Sequence, residues 1–395
     1  MKICGVEFEV SLATKVPPIP LDHMITIPGS YSRKLPEETL DSIVHELRLR
    51  ELGDLVLATA LRENYQLVCS QLVEALALVG NSVQCVELIQ DKPACRDALR
   101  SAGVFQPQSL RIAGVDPNGK VRVLGGLGAG TADVLTSRSG WIVKPATGMG
   151  SAGVTYIAGI DELQGLDAEV FAGGYCLEEY VLGEEFSAEG ITVGGQVRLY
   201  GATTKTKNEN FVEIGHRHPA APQGFPTLED LSLQLQECLA ALGIQWGHLH
   251  VEFWVGPDGS VVWGEFHVRQ AGGFIAPDLV EAARPGLDIY GELIDSLRGL
   301  PLDELPSLTA CAGVEFIEAA PGRVMATAIE DEVPADAQIY WECKPGDYLM
   351  AVNGLRSHVA VVVAQSHDSE ALESLLGIAS KACNYRVDLL EGSNK

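Results

Sequence analysis

The spacing of apolar positions changes character at about Trp141. Before it, after a first strand over Met1–Leu12 and a proline-rich stretch from Pro17 to Pro36, the spacing is mostly helical. Pro36-Glu37-Glu38 opens a helical pattern with acids in its first turn, where they suit the helix dipole. A second helix is predicted over Glu63–Val79, with Gly80 at its end. Asp91 has the place of an N-cap, with Pro93 in the first turn and Gly103 as the stop. From Trp141 the pattern becomes strands and tight glycine turns, interrupted by a helix over Leu228–Leu242 that Gly243 closes. Two strands, His248–Val255 and Ser260–Arg269, flank the hairpin signal Gly256-Pro257-Asp258-Gly259. A shorter mixed segment follows about Gly299, with strands at Gly313–Ile317 and His358–Ala364 and a last helix over Ser369–Cys383. Boundaries are expected near Leu88–Pro93 and Gly299–Pro306, and there is no internal repeat.

Composition narrows the function. The 395 residues are enough for two to four structural units of ordinary size. Hydrophobic content of 46% against 21% charged is that of a globular chain, with no apolar run long enough to span a bilayer. A formal net charge of −25 repels nucleic acid and anionic membranes, so neither is expected as a partner. Nine cysteines, none in a Cys-x-x-Cys pair, read as reduced thiols. Met1-Lys2-Ile3-Cys4 lacks the apolar core of a signal peptide, and a cytoplasmic location is expected.

Against this acidic background, basic residues near one glycine loop stand out. The strand Trp141–Pro145 carries Lys144, then come Thr147-Gly148-Met149-Gly150-Ser151-Ala152-Gly153 and a second strand, Val154–Ile157. Gly148, Gly150 and Gly153 match the dinucleotide fingerprint, but that fingerprint needs a helix after the loop, and here a strand follows. A glycine hairpin can lay its N–H groups over phosphates, with Lys144 neutralising their charge. An ordinary glycine turn is the other reading. No Walker A motif and no kinase catalytic loop are present.

The hairpin after residue 248 adds carboxylates. By period two, His248, His250, Glu252 and Trp254 share one face, and so do Val261, Trp263, Glu265, His267 and Arg269. Pairing Val255 with Ser260 puts both polar sets on one side, with Glu252 and Glu265 diagonal to each other. Two close carboxylates repel, which Mg²⁺ together with substrate phosphates would resolve. A solvated sheet face is the alternative. His216/His218 and His248/His250 are His-x-His pairs without the further ligands of a zinc site.

In this order the pieces resemble the ATP-grasp superfamily, and within it the L-amino acid ligases, from about Leu67 to the C-terminus. The resemblance implies an α/β (α+β) ATP-grasp fold. It divides into an N-terminal Rossmann-like lobe over 1–91, a core over 92–299 with subdomains 92–176 and 177–299, and a biotin-carboxylase-like lobe over 300–395. Lys92 and Lys144 resemble the nucleotide lysines, and Gly148, Gly150 and Ser151 belong to the phosphate loop. Glu178, Glu179 and Val181 resemble the adenine linker, with Glu185 as the ribose acid. Glu252 and Glu265 resemble the magnesium ligands, and Arg269 the arginine that holds the acyl phosphate. Glu213, His216, Gly272 and Gly273 resemble the substrate pocket, with His216 orienting or deprotonating an amine. His267 stands where the family has an asparagine metal ligand, which opens the site to Mn²⁺ as well as Mg²⁺. The implied activity is ATP-dependent joining of a small carboxylate to an amine, with amino acids expected as substrates, through an acyl phosphate. A homodimer is compatible with this. A carboxylase or purine-pathway ligase, and a non-catalytic nucleotide-binding protein, are the alternatives.

Overall fold

The computed structural model of the chain describes residues 2–8, 23–27, 34–49, 55–59, 63–115, 121–123, 137, 139–148, 150–165, 174–220, 222, 224–297, 299–350 and 357–389. Most of the proline-rich stretch and the end of the first expected strand lie outside them.

Three parallel strands open the molecule: β1 (Lys2–Phe8), β2 (His23–Ile27) and β3 (Leu55–Thr59), in the order β2-β1-β3. Parallel neighbours need a crossover, and helix α1 (Glu37–Leu49) lies between β2 and β3 in the chain, as in a Rossmann-like unit. Val44 and Leu47 of α1 pack on Val68 and Leu72 of α2 (Gln66–Leu76). The second helix is shorter than its apolar pattern. Residues 63–65 form a tighter 3₁₀ turn, and Ala77 takes the left-handed cap at φ 53° that Gly80 was expected to supply. Helix α3 (Val83–Gln90), capped by Ser82 accepting the Cys85 N–H at 3.1 Å, is too short to show a period in sequence. Asp91 caps α4 (Lys92–Ser101) as expected, accepting the Ala94 N–H at 3.1 Å.

An antiparallel sheet follows, built from β4 (Ser109–Val115), β5 (Val121–Val123), β6 (Trp141–Pro145), β7 (Thr155–Ile157) and β8 (Tyr175–Glu179), in the order β5-β4-β8-β6-β7. β8 runs through residues 176 and 177 without a break. Trp141, Val143, Ile157 and Leu177 form its core.

The largest sheet takes β9 (Glu184–Val193), β10 (Gln196–Lys207), β11 (Glu213–His218), β12 (Trp246–Val255), β13 (Val261–His267) and β14 (Cys311–Ala319). After them come β15 (Gly322–Ile329), β16 (Ala337–Trp341), β17 (Tyr348–Leu349), β18 (Ser357–Ser366) and β19 (Cys383–Leu389). Of these, β18 and β16 extend the large sheet to the order β13-β12-β9-β10-β11-β14-β18-β16, while β17, β15 and β19 form a small one. Helix α5 (Leu228–Leu242) lays Leu231, Leu235 and Leu239 on Phe186, Val251 and Phe253. With one face of the strands spent on α5, alternation turns Ser187, Glu189, Lys205, His250 and Glu252 to the other face. Helices α6 (Val280–Ala283) and α7 (Ile289–Leu297) cover Ile191 and Tyr200, and α8 (Ser369–Ala382) covers Val362 and Ala364. Among the described residues no helix is long and apolar enough to cross a membrane.

Candidate active site

The carboxylate hairpin has a different register from the one its turn predicts. Val255 pairs with Val261, not with Ser260, and Phe253 pairs with Trp263. That shift alone would send Glu265 to the apolar side. A bulge between Val251 and Phe253 corrects it, so that Val251 faces Phe266 and His250 faces His267. Trp263 therefore leaves the polar face assigned to it and packs in the core at 2% exposure, while Glu252 and Glu265 both reach the cavity. Gly264 sits at the bulge. A Cβ there would lie 2.8 Å from the Glu252 carbonyl oxygen and 2.7 Å from the Trp254 ring.

Each carboxylate has its own cations. Glu265 lies 3.4 Å from Lys92 Nζ and 3.4 Å from Lys144 Nζ, and Glu252 is ion-paired with Lys205. Burial alone would raise the pKa of both acids. The lysines outweigh it and hold both below the usual carboxylate range. Lys205 also reaches Glu213 at 2.6 Å and Glu185 at 3.5 Å, and Lys207 reaches Glu185 at 2.6 Å. Neither lysine was singled out in the sequence, although two lysines two apart on a strand share a face and so form a signal. Arg96 is a further omission. It is buried at 2% exposure and lies 2.8 Å from Glu178, whose other oxygen is 2.8 Å from Lys144. The Glu178 side chain thus positions Lys144, while Glu179 gives its own N–H to Gln108 O at 2.8 Å. Val181, just beyond the end of β8, lines the cavity.

The glycine segment is the tip of a hairpin, as expected: Trp141 pairs with Ile157 and Val143 with Thr155. Gly150 at φ 66° and Gly153 at φ 74° take left-handed backbone that suits glycine. Met149 lies outside the described residues. Lys92 Nζ donates to Gly148 O at 2.8 Å, and Ser151 Oγ donates to Phe211 O at 2.8 Å across the cleft.

At the far side of the hairpin, Arg269 Nε donates to Glu63 Oε2 at 2.9 Å, and His267 Nδ1 lies 2.8 Å from the same oxygen. His216 is fully buried. Its Nε2 lies 3.3 Å from Glu213 Oε2 and 2.9 Å from where a Cβ on Gly273 would be, and its ring meets Phe316 edge-on at 5.7 Å. It stands behind the cavity wall, whereas every other residue singled out for the site lines one cleft of about 740 Å³. In a chain of net charge −25, five lysine and arginine side chains meet there: Lys92, Lys144, Lys205, Lys207 and Arg269. Such a set can hold a polyphosphate. Among the described residues no group of three or more His, Cys, Asp and Glu side chains is placed to hold a metal ion by itself. Two ionised carboxylates beside a phosphate-sized cationic cleft nevertheless fit an ion that takes its remaining ligands from the phosphates.

No protein-family model matches the chain. An uncharacterized protein of Sinorhizobium fredii, y4rH, is 24% identical over 376 residues, which cover 88% of this chain and 72% of that protein. Among solved structures, the L-amino acid ligase from Bacillus licheniformis superposes with a TM-score of 0.73 at 17% identity, over 98% of this chain and 99% of that one. The Campylobacter jejuni biotin carboxylase superposes with a TM-score of 0.64 at 17% identity, over 98% and 86%. With a Rossmann-like opening unit, a glycine-hairpin sheet and a carboxylate-bearing sheet in this order, the chain has the ATP-grasp fold.

Proposed function

We propose that the protein is an ATP-dependent carboxylate–amine ligase that forms an amide or dipeptide bond, with an amino acid as a substrate, and releases ADP and phosphate. The observation that carries this reading is the meeting of five cations and the Glu252/Glu265 pair under a glycine hairpin in one cleft. Neighbours of the same fold support it: a biotin carboxylase was solved as a β-γ-ATP complex, and a 2-oxoglutarate carboxylase domain with magnesium ADP.

A carboxylate is a poor acyl donor because oxide is a poor leaving group. Phosphorylation on oxygen makes a mixed anhydride, which an amine attacks with loss of phosphate. The protein's part is to align the two oxygens, neutralise charge and exclude water. Lys92, Lys144 and the N–H groups around Gly148, Gly150 and Ser151 hold the phosphates, with Val181 beside the base and Glu185, fixed by Lys207, at the ribose. Arg269 holds the acyl phosphate. Gly272 and Gly273 leave room for the carboxylate substrate. Glu213 receives the amine, and His216 acts on it from behind by positioning Glu213. Glu252, Glu265 and His267 would hold Mg²⁺ or Mn²⁺, which when bound neutralises phosphate charge. We further propose the three-part division at 91/92 and 299/300 and a cytoplasmic location, supported by free thiols at all the cysteines whose side chains are described.

The test is a matrix of amino-acid pairs with ATP and Mg²⁺. Expected are ADP and phosphate in equal amounts, released only with a productive pair. Stoichiometric AMP would remove the acyl-phosphate mechanism, and ATP hydrolysis that depends on bicarbonate alone would replace the ligase with a carboxylase.

A further inference from the structure

Glu63 belongs to no motif and lies 204 residues before His267 in the chain. It nevertheless ends behind the candidate site, against His267 and Arg269 of the cleft lining, with its side chain only 10% exposed. Both carboxylate oxygens are engaged. Oε1 accepts from Gln90 Nε2 at 3.0 Å. Oε2 accepts from Arg269 Nε at 2.9 Å and lies 2.8 Å from His267 Nδ1. A carboxylate has no hydrogen to give, so the hydrogen in the histidine contact is on Nδ1. In the neutral ring this leaves the Nε2 lone pair free. Nε2 lies 3.9 Å from Glu265 Oε2. That is too long for a hydrogen bond. Both residues line the same cleft, and the separation is below the sum of two metal–ligand bonds of about 2.1 Å, so one ion between them can reach both.

We propose that Glu63 is a positioning residue that holds His267 in the Nδ1–H form, so that Nε2 serves as a nitrogen ligand to the ion on Glu252 and Glu265. The same carboxylate sets the direction of Arg269. This inference rests on the ligase reading. It explains how a histidine can stand at the ion: a carboxylate behind an imidazole fixes its tautomer and raises its basicity. Exchanging an oxygen for a nitrogen ligand moves the site's preference from Mg²⁺ toward Mn²⁺. It also ties the segment before residue 92 to the reacting end of the cleft, because Glu63 and Gln90 both come from there.

The experiment titrates the full-length protein with Mn²⁺ in the presence of ADP, followed by electron paramagnetic resonance. Pulsed measurements detect any histidine nitrogen on the ion. The wild type should show that nitrogen coupling, and His267→Asn should lack it. Glu63→Ala should weaken Mn²⁺ binding by roughly 10–100-fold, the usual cost of losing such an outer partner. Glu63→Gln keeps the packing and an acceptor but not the charge, and should fall between. Adding Glu63→Ala to His267→Asn should cost little more. Wild-type binding without nitrogen coupling, or unchanged Mn²⁺ affinity in folded Glu63→Gln and Glu63→Ala proteins, overturns the inference and leaves the ligase reading standing. A wild type that binds neither ADP nor Mn²⁺ overturns both.

Discussion

Lys144 lies 2.8 Å from Glu178 and 3.4 Å from Glu265, at 7% exposure. Burial would lower its pKa, but the two carboxylates more than reverse this and keep it a fixed cation. Like charges at Glu252 and Glu265, taken from the sequence alone, predict that Glu265→Gln relieves strain in the metal-free protein. The lysines change that expectation, because Lys92 and Lys144 would then lose a counter-charge. Glu265→Gln should therefore leave the metal-free melting temperature unchanged or lower it. Turnover should fall at least a hundredfold, since losing such an electrostatic contact costs about 3–4 kcal/mol. Near-normal turnover at saturating Mg²⁺ would remove Glu265 from the site. An isolated acid on a strand looks solvated in sequence, and its lysine partners, more than a hundred residues away, became visible only on folding.

The β12–β13 hairpin shows how an element, and not a residue, aims the chemistry. Without the bulge at Gly264, one strand's polar residues would face α5 and the other's the cleft. Glycine is required there by the close approach of the Glu252 carbonyl. Gly264→Val should cost roughly 1–3 kcal/mol of stability through overpacking. It should also reduce turnover more than it reduces ADP affinity, because Glu252 and Glu265 lose their shared side. A variant with unchanged melting temperature and kinetics would show that the bulge is incidental.

At the scale of the molecule, acid stability follows from what the large sheet buries. His218 and His248 are buried, and desolvation lowers both to about 4 from the ordinary 6.5. Between those values the unfolded chain binds protons that the folded chain refuses. Stability is therefore complete above pH 6.5 and falls as pH drops toward 4, by up to roughly 3 kcal/mol per histidine. The depressed carboxylates Glu178 and Glu252 add losses only at lower pH, as their protonation breaks the ion pairs. His248 meets Tyr290 edge-on at 5.5 Å, so His248→Phe keeps an aromatic contact while removing a titrating group. The difference in melting temperature between variant and wild type should be more positive at pH 5 than at pH 8. An equal difference at both would show that His248 does not titrate in this window.

By itself the sequence determined what depends on neighbours in the chain. Asp91 as a cap, the glycine hairpin after Lys144, the helix ending at Gly243 and the polar residues two apart on each strand of the carboxylate hairpin are local patterns, set by backbone hydrogen bonding and side-chain period. It also made the ATP-grasp resemblance legible, since those patterns come in a fixed order. Tertiary structure alone decided which charges meet. Arg96 and Glu63 carry no local signature, because an ion pair depends on distance in space: Arg96 meets Glu178 82 residues on, and Glu63 meets His267 and Arg269 204 and 206 residues on. The bulge was hidden for a related reason. A one-residue change of register costs little in sequence pattern, yet it moves every later side chain to the other face, and only packing against α5 selects the register that buries Trp263 and frees Glu265.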